Sequence, residues 1–427
     1  MGKVAAFRSG DEQTIGYKRV SFRPARRKRI NGGYFDVLAE EGRTKSIPVG
    51  ALGIIAMNGC GEIGEKVDNY LVKGRENFSS ELKEDLTFYG YIKDSYLLNT
   101  KCPRFGTGEA KGIINESVRG QDIFIIVDVF NYGCKYTMYG KETCMSPDDH
   151  FQDLKRIISA IAGKARRITV IMPMLYEGRQ HRRTYRESLD CAIALQELVN
   201  IGVNNIITFD AHDNRVHNAI PFGGFENVMP TYQMIKALIK NVPDVEFSPD
   251  KMMIISPDEG GISRNIYFSS VLGLSLGMYY KKRDYTTVVN GLNPIVAHEF
   301  LGESVEGKDL IIADDIIDSG WSIMDLMIDL KKKKANRIFL ACTFGLFTKG
   351  FEKLDEAYKE GLFTKIFTTN LNYRPRSLFS KEWYCEVDMS KYIAYIIDTL
   401  NHDQSIGNLL EPSWRIKKLL HNKGYIK

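Results

Sequence analysis

No stretch of this sequence stays apolar long enough to span a bilayer, and Met1 to Ser9 lacks the apolar core of a signal peptide. Paired thiols are missing too. The seven cysteines, at 60, 102, 134, 144, 191, 342 and 385, form no Cys-x-x-Cys pair. Scattered single thiols speak against a disulfide framework and for a reducing cytoplasm. Neither sign of charge dominates: 58 Lys and Arg against 53 Asp and Glu leave +5. Such a balance suits anionic small molecules without demanding nucleic acid. There is no G-x-x-x-x-G-K-[ST] phosphate loop, which disfavours the usual nucleoside-triphosphatase architecture. A G-x-S-x-G elbow and an H-E-x-x-H helix are also absent, as are low complexity and short-period repeats.

What is present is an ordinary globular composition. The 427 residues, 44% hydrophobic and 26% charged, suffice for two or three domains with real cores. Residues 1–47 read as an appendage carrying the basic run 23–29, more a solvated segment than a nucleic-acid arm. A strand is expected over 51–57. The glycines of Gly59-Cys60-Gly61-Glu62-Ile63-Gly64 follow it, and a helix runs on through Val67 and Leu71. This spacing is formally the dinucleotide fingerprint. No convincing acidic residue follows on a second strand, so glycines serving a tight strand-to-helix turn are the favoured reading.

From Arg104 onward strands and helices alternate. Strands are expected at 123–129, 167–172, 205–209, 252–256, 275–281, 309–313 and 336–342. Helices are expected at 149–163, 189–199, 230–240, 262–272 and 322–333. Alternating β and α with continuous apolar strands predicts an α/β fold of parallel sheets flanked by helices, in two similarly built domains. Ligands of such sheets sit beyond the carboxyl ends of the strands. Those ends carry Arg179-Gln180 with Arg182-Arg183, His212, Asp258 before Gly260-Gly261, Lys282-Arg283 and Asp314-Asp315. Cations, carboxylates, a histidine and glycines gathered on one rim suit a polyphosphate with a divalent metal. Taken singly they are modest. Asp258 is equally a turn residue, a lone His212 reads first as structural, and the arginines and Lys282-Arg283 suit a wet loop as well as a triphosphate. Lys282-Arg283, at a strand end before the segment 284–307, is also read as a cationic arm able to close over phosphates.

The most informative stretch is 308–322, an apolar run that ends in two aspartates, then Asp318-Ser319-Gly320 and a helix. Asp318 or Ser319 would cap that helix. Capping leaves the aspartate pair and the glycine unexplained. Two carboxylates able to grip vicinal hydroxyls beside a helix start able to hold a phosphate describe a sugar-phosphate cradle.

These motifs resemble those of ribose-phosphate diphosphokinase, also called phosphoribosyl pyrophosphate synthetase. The likeness is carried by Arg104 to Glu109, Ile114 to Gly120, Gly178-Arg179-Gln180, Asp210-Ala211-His212, Ser256 to Gly261, Lys282-Arg283 and Asp314 to Gly320, in that order. It implies an N-terminal extension over 1–47, phosphoribosyltransferase-like domains over 48–229 and 230–388, and a closing helix and tail over 389–427. It further implies diphosphate transfer from ATP to ribose 5-phosphate with Mg²⁺, in a cytoplasmic homo-oligomer with no membrane or nucleic-acid partner. By this resemblance Phe105, Thr107 and Glu109 line an adenine site in a neighbouring subunit, and Arg179 and Gln180 contact ATP. His212 and Asp258 lie near the metal, and Lys282 and Arg283 neutralise charge as AMP leaves. Asp314 and Asp315 hold ribose hydroxyls, while Asp318, Ser319, Gly320 and Ser322 cradle the 5-phosphate. Thr107, His181, Asp284 and Trp321 depart from the family's pattern. Asp284 and Trp321 motivate a second expectation, a weakened regulatory or nucleotide-binding homologue.

Overall fold

The apolar runs become the central strands of two sheets, because only a strand covered on both faces tolerates such runs. The computed structural model describes residues 46–76, 88, 90–183, 185–283 and 295–425. The basic run 23–29, the polar stretch 81–85 and Asp284 lie outside them, as do the side chains of Lys282, Arg283, Trp321 and Ser322.

The first half contains β1 (Leu52–Ala56), α1 (Gly61–Arg75), the short pair β2 (Thr100–Lys101) and β3 (Ile113–Ile114), and β4 (Asp122–Ile126). A hairpin of β5 (Lys135–Met138) and β6 (Lys141–Cys144) comes next, then α2 (Pro147–Ile161), β7 (Arg167–Ile171), α3 (Asp190–Asn200), β8 (Asn205–Phe209) and β9 (Gly224–Val228). Strands pair in parallel in the order β1-β4-β7-β8-β9. On the far side of β1, a parallel bridge joins Ile54 to Leu97. The Ile54 N–H donates to Tyr96 and the Leu98 N–H to Ile54, both at 2.8 Å. The chain therefore steps outward from β1 before it returns inward to β4.

α2 shows why its start precedes the expected 149. The Ser146 hydroxyl accepts from the Asp149 N–H and the Asp149 carboxylate accepts from the Ser146 N–H, with Pro147 at the first helical position. Its apolar stripe of Phe151, Leu154, Ile157, Ile158 and Ile161 packs onto Ile123, Ile125, Val170 and Ile206 of the sheet.

The second half contains α4 (Thr231–Asn241), β10 (Met252–Ser256), α5 (Ile262–Leu272), β11 (Ser275–Arg283), β12 (Ile295–Leu301), β13 (Asp309–Ile317), α6 (Trp321–Lys332), β14 (Ile338–Gly345), α7 (Glu352–Lys359), β15 (Lys365–Thr369) and β16 (Tyr384–Val387). Its strand order is β12-β11-β10-β13-β14-β15-β16, parallel except for β12 against β11. Successive strands run outward one way from β10 and then the other way from β13. That reversal opens a crevice beyond the carboxyl ends of β10 and β13.

α8 (Ser390–Asn401), α9 (Gly407–Leu410) and α10 (Ser413–Asn422) follow. α8 returns to the first half, where the buried Arg75 donates to Asp398 at 3.0 Å and Asn401 at 2.9 Å. Asn401 also donates to Asp122 at 2.9 Å.

Three expectations need correction. The strand expected over 309–313 continues to Ile317, because Asp314, Ile316 and Ile317 stay in register with Cys342, Phe344 and Gly345 of β14. The aspartate pair therefore sits within the strand rather than after it. Second, the strand expected over 275–281 continues to Arg283, so Lys282 and Arg283 lie within β11, paired with β12, rather than on an arm beyond it. Third, the β5–β6 hairpin and β9 were not expected at all.

Candidate functional site

The crevice between β10 and β13 is the floor of a cavity of about 990 Å³. Asp258 and Gly260-Gly261 reach it from the turn after β10, and Asp314, Asp315 and Asp318 from β13 and its loop. Arg179, His181, Asp210 and His212 come from the ends of β7 and β8 in the other sheet. Residues far apart in sequence meet here because both sheets turn their carboxyl ends to the same space.

At the centre is Arg264, one turn into α5. Its guanidinium lies 2.9 Å from Asp210, 3.4 Å from Asp314 and 3.9 Å from Asp315. Asp210 also accepts from the Thr343 hydroxyl at 2.5 Å. The sequence reading missed Arg264, because one arginine in a helix carries no signal of its own. Its place three residues after Gly260-Gly261 was the available clue.

The two adjacent aspartates are shifted in opposite directions. Burial lifts Asp314 well above the ordinary carboxylate range, and the charge of Asp315 adds to the lift. Burial also pushes Asp315 upward, but the His212 hydrogen bond and the Arg264 charge outweigh it and hold Asp315 well below the ordinary range. His212 Nδ1 lies 2.7 Å from Asp315 Oδ2. That hydrogen bond raises the histidine's pKa against the opposing effect of burial. Asp314 is therefore the carboxyl of the pair that takes up a proton first, and Asp315 the one that keeps its charge.

The loop after β13 is shaped by glycine. Gly320 has φ +77 and forms the N-terminal boundary of α6, so the left-handed residue is Gly320 and Trp321 opens the helix. A bulky residue at 321 therefore does not have to adopt positive φ. Asp318 receives the Arg179 guanidinium at 2.9 Å and the Thr348 hydroxyl. Burial raises the Asp318 pKa, yet these two partners bring it below the usual range.

The remaining candidates are distributed unevenly. Gln180 lies beside the cavity in a shallow pocket with Arg182, its amide donating to the Ser188 carbonyl at 3.0 Å. Ser319 and Gly320 lie in the loop, next to the lining rather than within it. Phe105, Thr107 and Glu109 do not line the cavity. They sit on a separate loop with Phe105 54% exposed and the Thr107 hydroxyl donating to Glu109 at 3.0 Å. The β5–β6 hairpin braces that loop. The Tyr139 N–H donates to the Gly106 carbonyl at 2.8 Å, and the Arg104 guanidinium stands over the Tyr136 ring at 4.7 Å.

For a metal, Asp258 offers carboxylate oxygen, with Oδ1 accepting from the Gly261 N–H at 3.1 Å. His212 offers Nε2, its Nδ1 being held by Asp315. Among the described residues no three His, Cys, Asp or Glu side chains gather into a cage. That donor set fits Mg²⁺, which keeps waters and substrate phosphates as most of its ligands.

Comparison with known proteins gives a consistent result. Residues 52–202 match the N-terminal domain of ribose phosphate pyrophosphokinase, and residues 225–372 match the phosphoribosyl transferase domain. A ribose-phosphate pyrophosphokinase of Vibrio parahaemolyticus is 25% identical over 335 residues, 78% of this chain and 96% of the relative. One from Mycoplasma genitalium is 28% identical over 272 residues, 63% of this chain and 74% of the relative. In fold, the chain is similar to the crystal structure of phosphoribosylpyrophosphate synthetase from Mycobacterium smegmatis. The TM-score is 0.64 at 19% identity, over 82% of this chain and 99% of that one.

Proposed function

We infer that this chain, which belongs to the ribose-phosphate pyrophosphokinase family of transferases, moves diphosphate from MgATP to the anomeric hydroxyl of ribose 5-phosphate. The products are phosphoribosyl pyrophosphate and AMP. The observation that carries this reading is the meeting of Arg179 and His212 from one sheet with Asp258, Asp314, Asp315 and Asp318 from the other, around one cavity.

In this reading the anomeric oxygen attacks the β-phosphorus of ATP, and the bond from that phosphorus to the α–β bridging oxygen breaks. The electron pair leaves with AMP, and the proton of the anomeric hydroxyl passes to water. Little covalent work falls to the protein; it must position the partners and oppose developing charge. Asp315, held by His212, would accept from one ribose hydroxyl, and Asp314 would bond the other. Asp318, Ser319, Gly320 and Ser322 would surround the 5-phosphate, with α6's first N–H groups at its base. Arg179 and Gln180 would contact the ATP phosphates, and Lys282 and Arg283 would neutralise charge at the α–β bridge. Held by Asp258 and His212, Mg²⁺ would screen the diphosphate being transferred.

Phe105, Thr107 and Glu109 lie apart from this cavity, and we assign them to the nucleobase end of a site in a second copy, which makes the enzyme a homo-oligomer. We assign the two sheets to two phosphoribosyltransferase-like domains, over 48–229 and 230–388. No helix among the described residues is long and apolar enough to cross a membrane, and we assign the protein to the cytoplasm. The test is AMP formation from ATP by purified protein with Mg²⁺. AMP should appear only with ribose 5-phosphate, and Asp315→Asn should lower the rate about 10²–10³-fold. Absence of sugar-dependent AMP from the parent protein would sink the assignment.

A further inference from the structure

α10 lies beyond the residues that match the two family domains, the second of which ends at 372. None of its residues lines the catalytic cavity. What it carries is charge of one sign. From Ser413 onward the sequence has Arg415, Lys417, Lys418, Lys423 and Lys427, and no Asp or Glu. α10 packs against α4 and α5, and α4 carries Lys236 and Lys240, again without a carboxylate.

The packing brings these lysines together. Ile416 and Leu420, one turn apart, are 0% and 1% exposed and hold α10 down. Near the two helix starts, the Arg415 guanidinium stands 5.2 Å from the centre of the Tyr232 ring. Past the two helix ends, the Phe247 and Tyr425 rings meet edge-on at 5.1 Å. With contacts at both ends, α4 and α10 run side by side in the same direction. Tyr232, Lys236 and Lys240 are four residues apart and share one stripe of α4. Arg415 covers Tyr232, so that stripe is the one turned toward α10. On α10 the side away from Ile416 and Leu420 carries Trp414, Lys417, Lys418 and His421, all exposed. Trp414 alone shows 47% of its surface.

Among the described residues, Lys236, Lys240, Lys417, Lys418 and Lys423 have no ion-pair partner. Two of the carboxylates that bracket the pair of helices are already engaged. Glu411 accepts from the Tyr267 hydroxyl at 2.9 Å and the Ser413 N–H at 3.1 Å, and Asp244 is paired with Arg337 at 2.8 Å. Glu246 stands exposed past the far end, beside Phe247. Five ammonium groups thus share a face about 15 Å long with one exposed indole.

We propose that this face docks the protein on a bilayer surface rich in anionic phospholipid headgroups, a partner that the family resemblance does not imply. Lysine ammonium groups are compact point charges, suited to a diffuse layer of negative headgroups. The indole of Trp414 belongs at the headgroup level of such a layer. Nucleic acid would be better met by arginine forks and a series of stacking rings. Here the arginine of α10 is turned inward, donating to the Leu409 carbonyl at 3.1 Å, and Trp414 is a single platform.

The test is flotation of the full chain with vesicles of phosphatidylcholine alone or mixed with phosphatidylserine. Binding should require phosphatidylserine and vanish at high salt. A lysine near an anionic leaflet raises partition roughly fivefold. Lys417→Ala with Lys418→Ala should therefore lower partition about 25-fold, and Lys236→Ala with Lys240→Ala by about the same factor. Lys332→Ala with Lys333→Ala removes equal charge from the exposed end of α6 and should leave partition within about twofold. All three pairs should unfold at the parent's temperature, since these side chains are exposed. Trp emission should shift to the blue on binding, and Trp414→Phe should remove that shift. Equal binding to phosphatidylcholine alone, equal loss in the α6 pair, or full binding in both other pairs would overturn the proposal. Displacement of the vesicles by single-stranded RNA at matched phosphate concentration would assign the face to nucleic acid and overturn it too.

Discussion

Replacing Arg264 tests the electrostatic core of the first cavity. The guanidinium is 11% exposed and stands between Asp210, Asp314 and Asp315 at 2.9, 3.4 and 3.9 Å. Arg264→Met keeps the aliphatic bulk and leaves buried carboxyl groups without their cation. Breaking a buried pair from one side costs about 3–5 kcal/mol, which corresponds to a fall in Tm of about 3–6 °C for a chain of this size. Asp210→Asn in the same background removes the most buried orphan. The double variant should therefore recover about 2 kcal/mol, a coupling readable from a urea double-mutant cycle. Loss of the arginine also removes the charge that opposes burial at Asp210 and Asp314, so protonation of these two relieves the defect. The destabilisation should accordingly shrink between pH 7 and pH 5. A cost below about 1 kcal/mol, or strict additivity with Asp210→Asn, would refute the claim that Arg264 neutralises this cluster.

Two other outcomes follow from groups with contrasting burial. Arg179→Ala removes an ion pair whose partners are 52% and 41% exposed, so stability should change by less than about 1 kcal/mol. Sugar-dependent AMP formation, in contrast, should fall at least tenfold, and equal losses in both would contradict the role given to Arg179. Asp128 is raised by burial to about 6, above its unfolded value of about 3.9. The native state then holds the extra proton between these values, so stability is greatest below about pH 4 on this account and declines as pH rises to about 6. The decline attributable to Asp128 is roughly 3 kcal/mol. Denaturant titration across that range should show a slope that Asp128→Asn removes.

Much of the architecture was legible because the physics was local. The strands 205–209 and 252–256 and the helix 262–272 are apolar runs or 3.6-residue stripes bounded by polar turns, and they form as expected. The carboxylate rim was legible from strand ends for the same reason. What escaped depended on partners distant in sequence. β13 keeps two aspartates inside a strand only because β14 supplies the pairing backbone and His212 and Arg264 supply the counter-charges. The β5–β6 hairpin was hidden for another reason. Its turn uses Tyr139 with φ +48 before Gly140 with φ +76, and tyrosine is not a residue that announces a left-handed turn.

That hairpin also bears on how quickly the protein meets another surface. The Tyr139 N–H bond to Gly106 and the stacking of Arg104 on Tyr136 hold the loop with Phe105 in one shape within its own chain. A loop already in its working shape has little conformational entropy left to lose on docking. If Phe105 meets a second copy as proposed, that assembly would be limited by encounter and orientation, with association rates in the ordinary range for rigid partners rather than the slower one that follows from folding on contact.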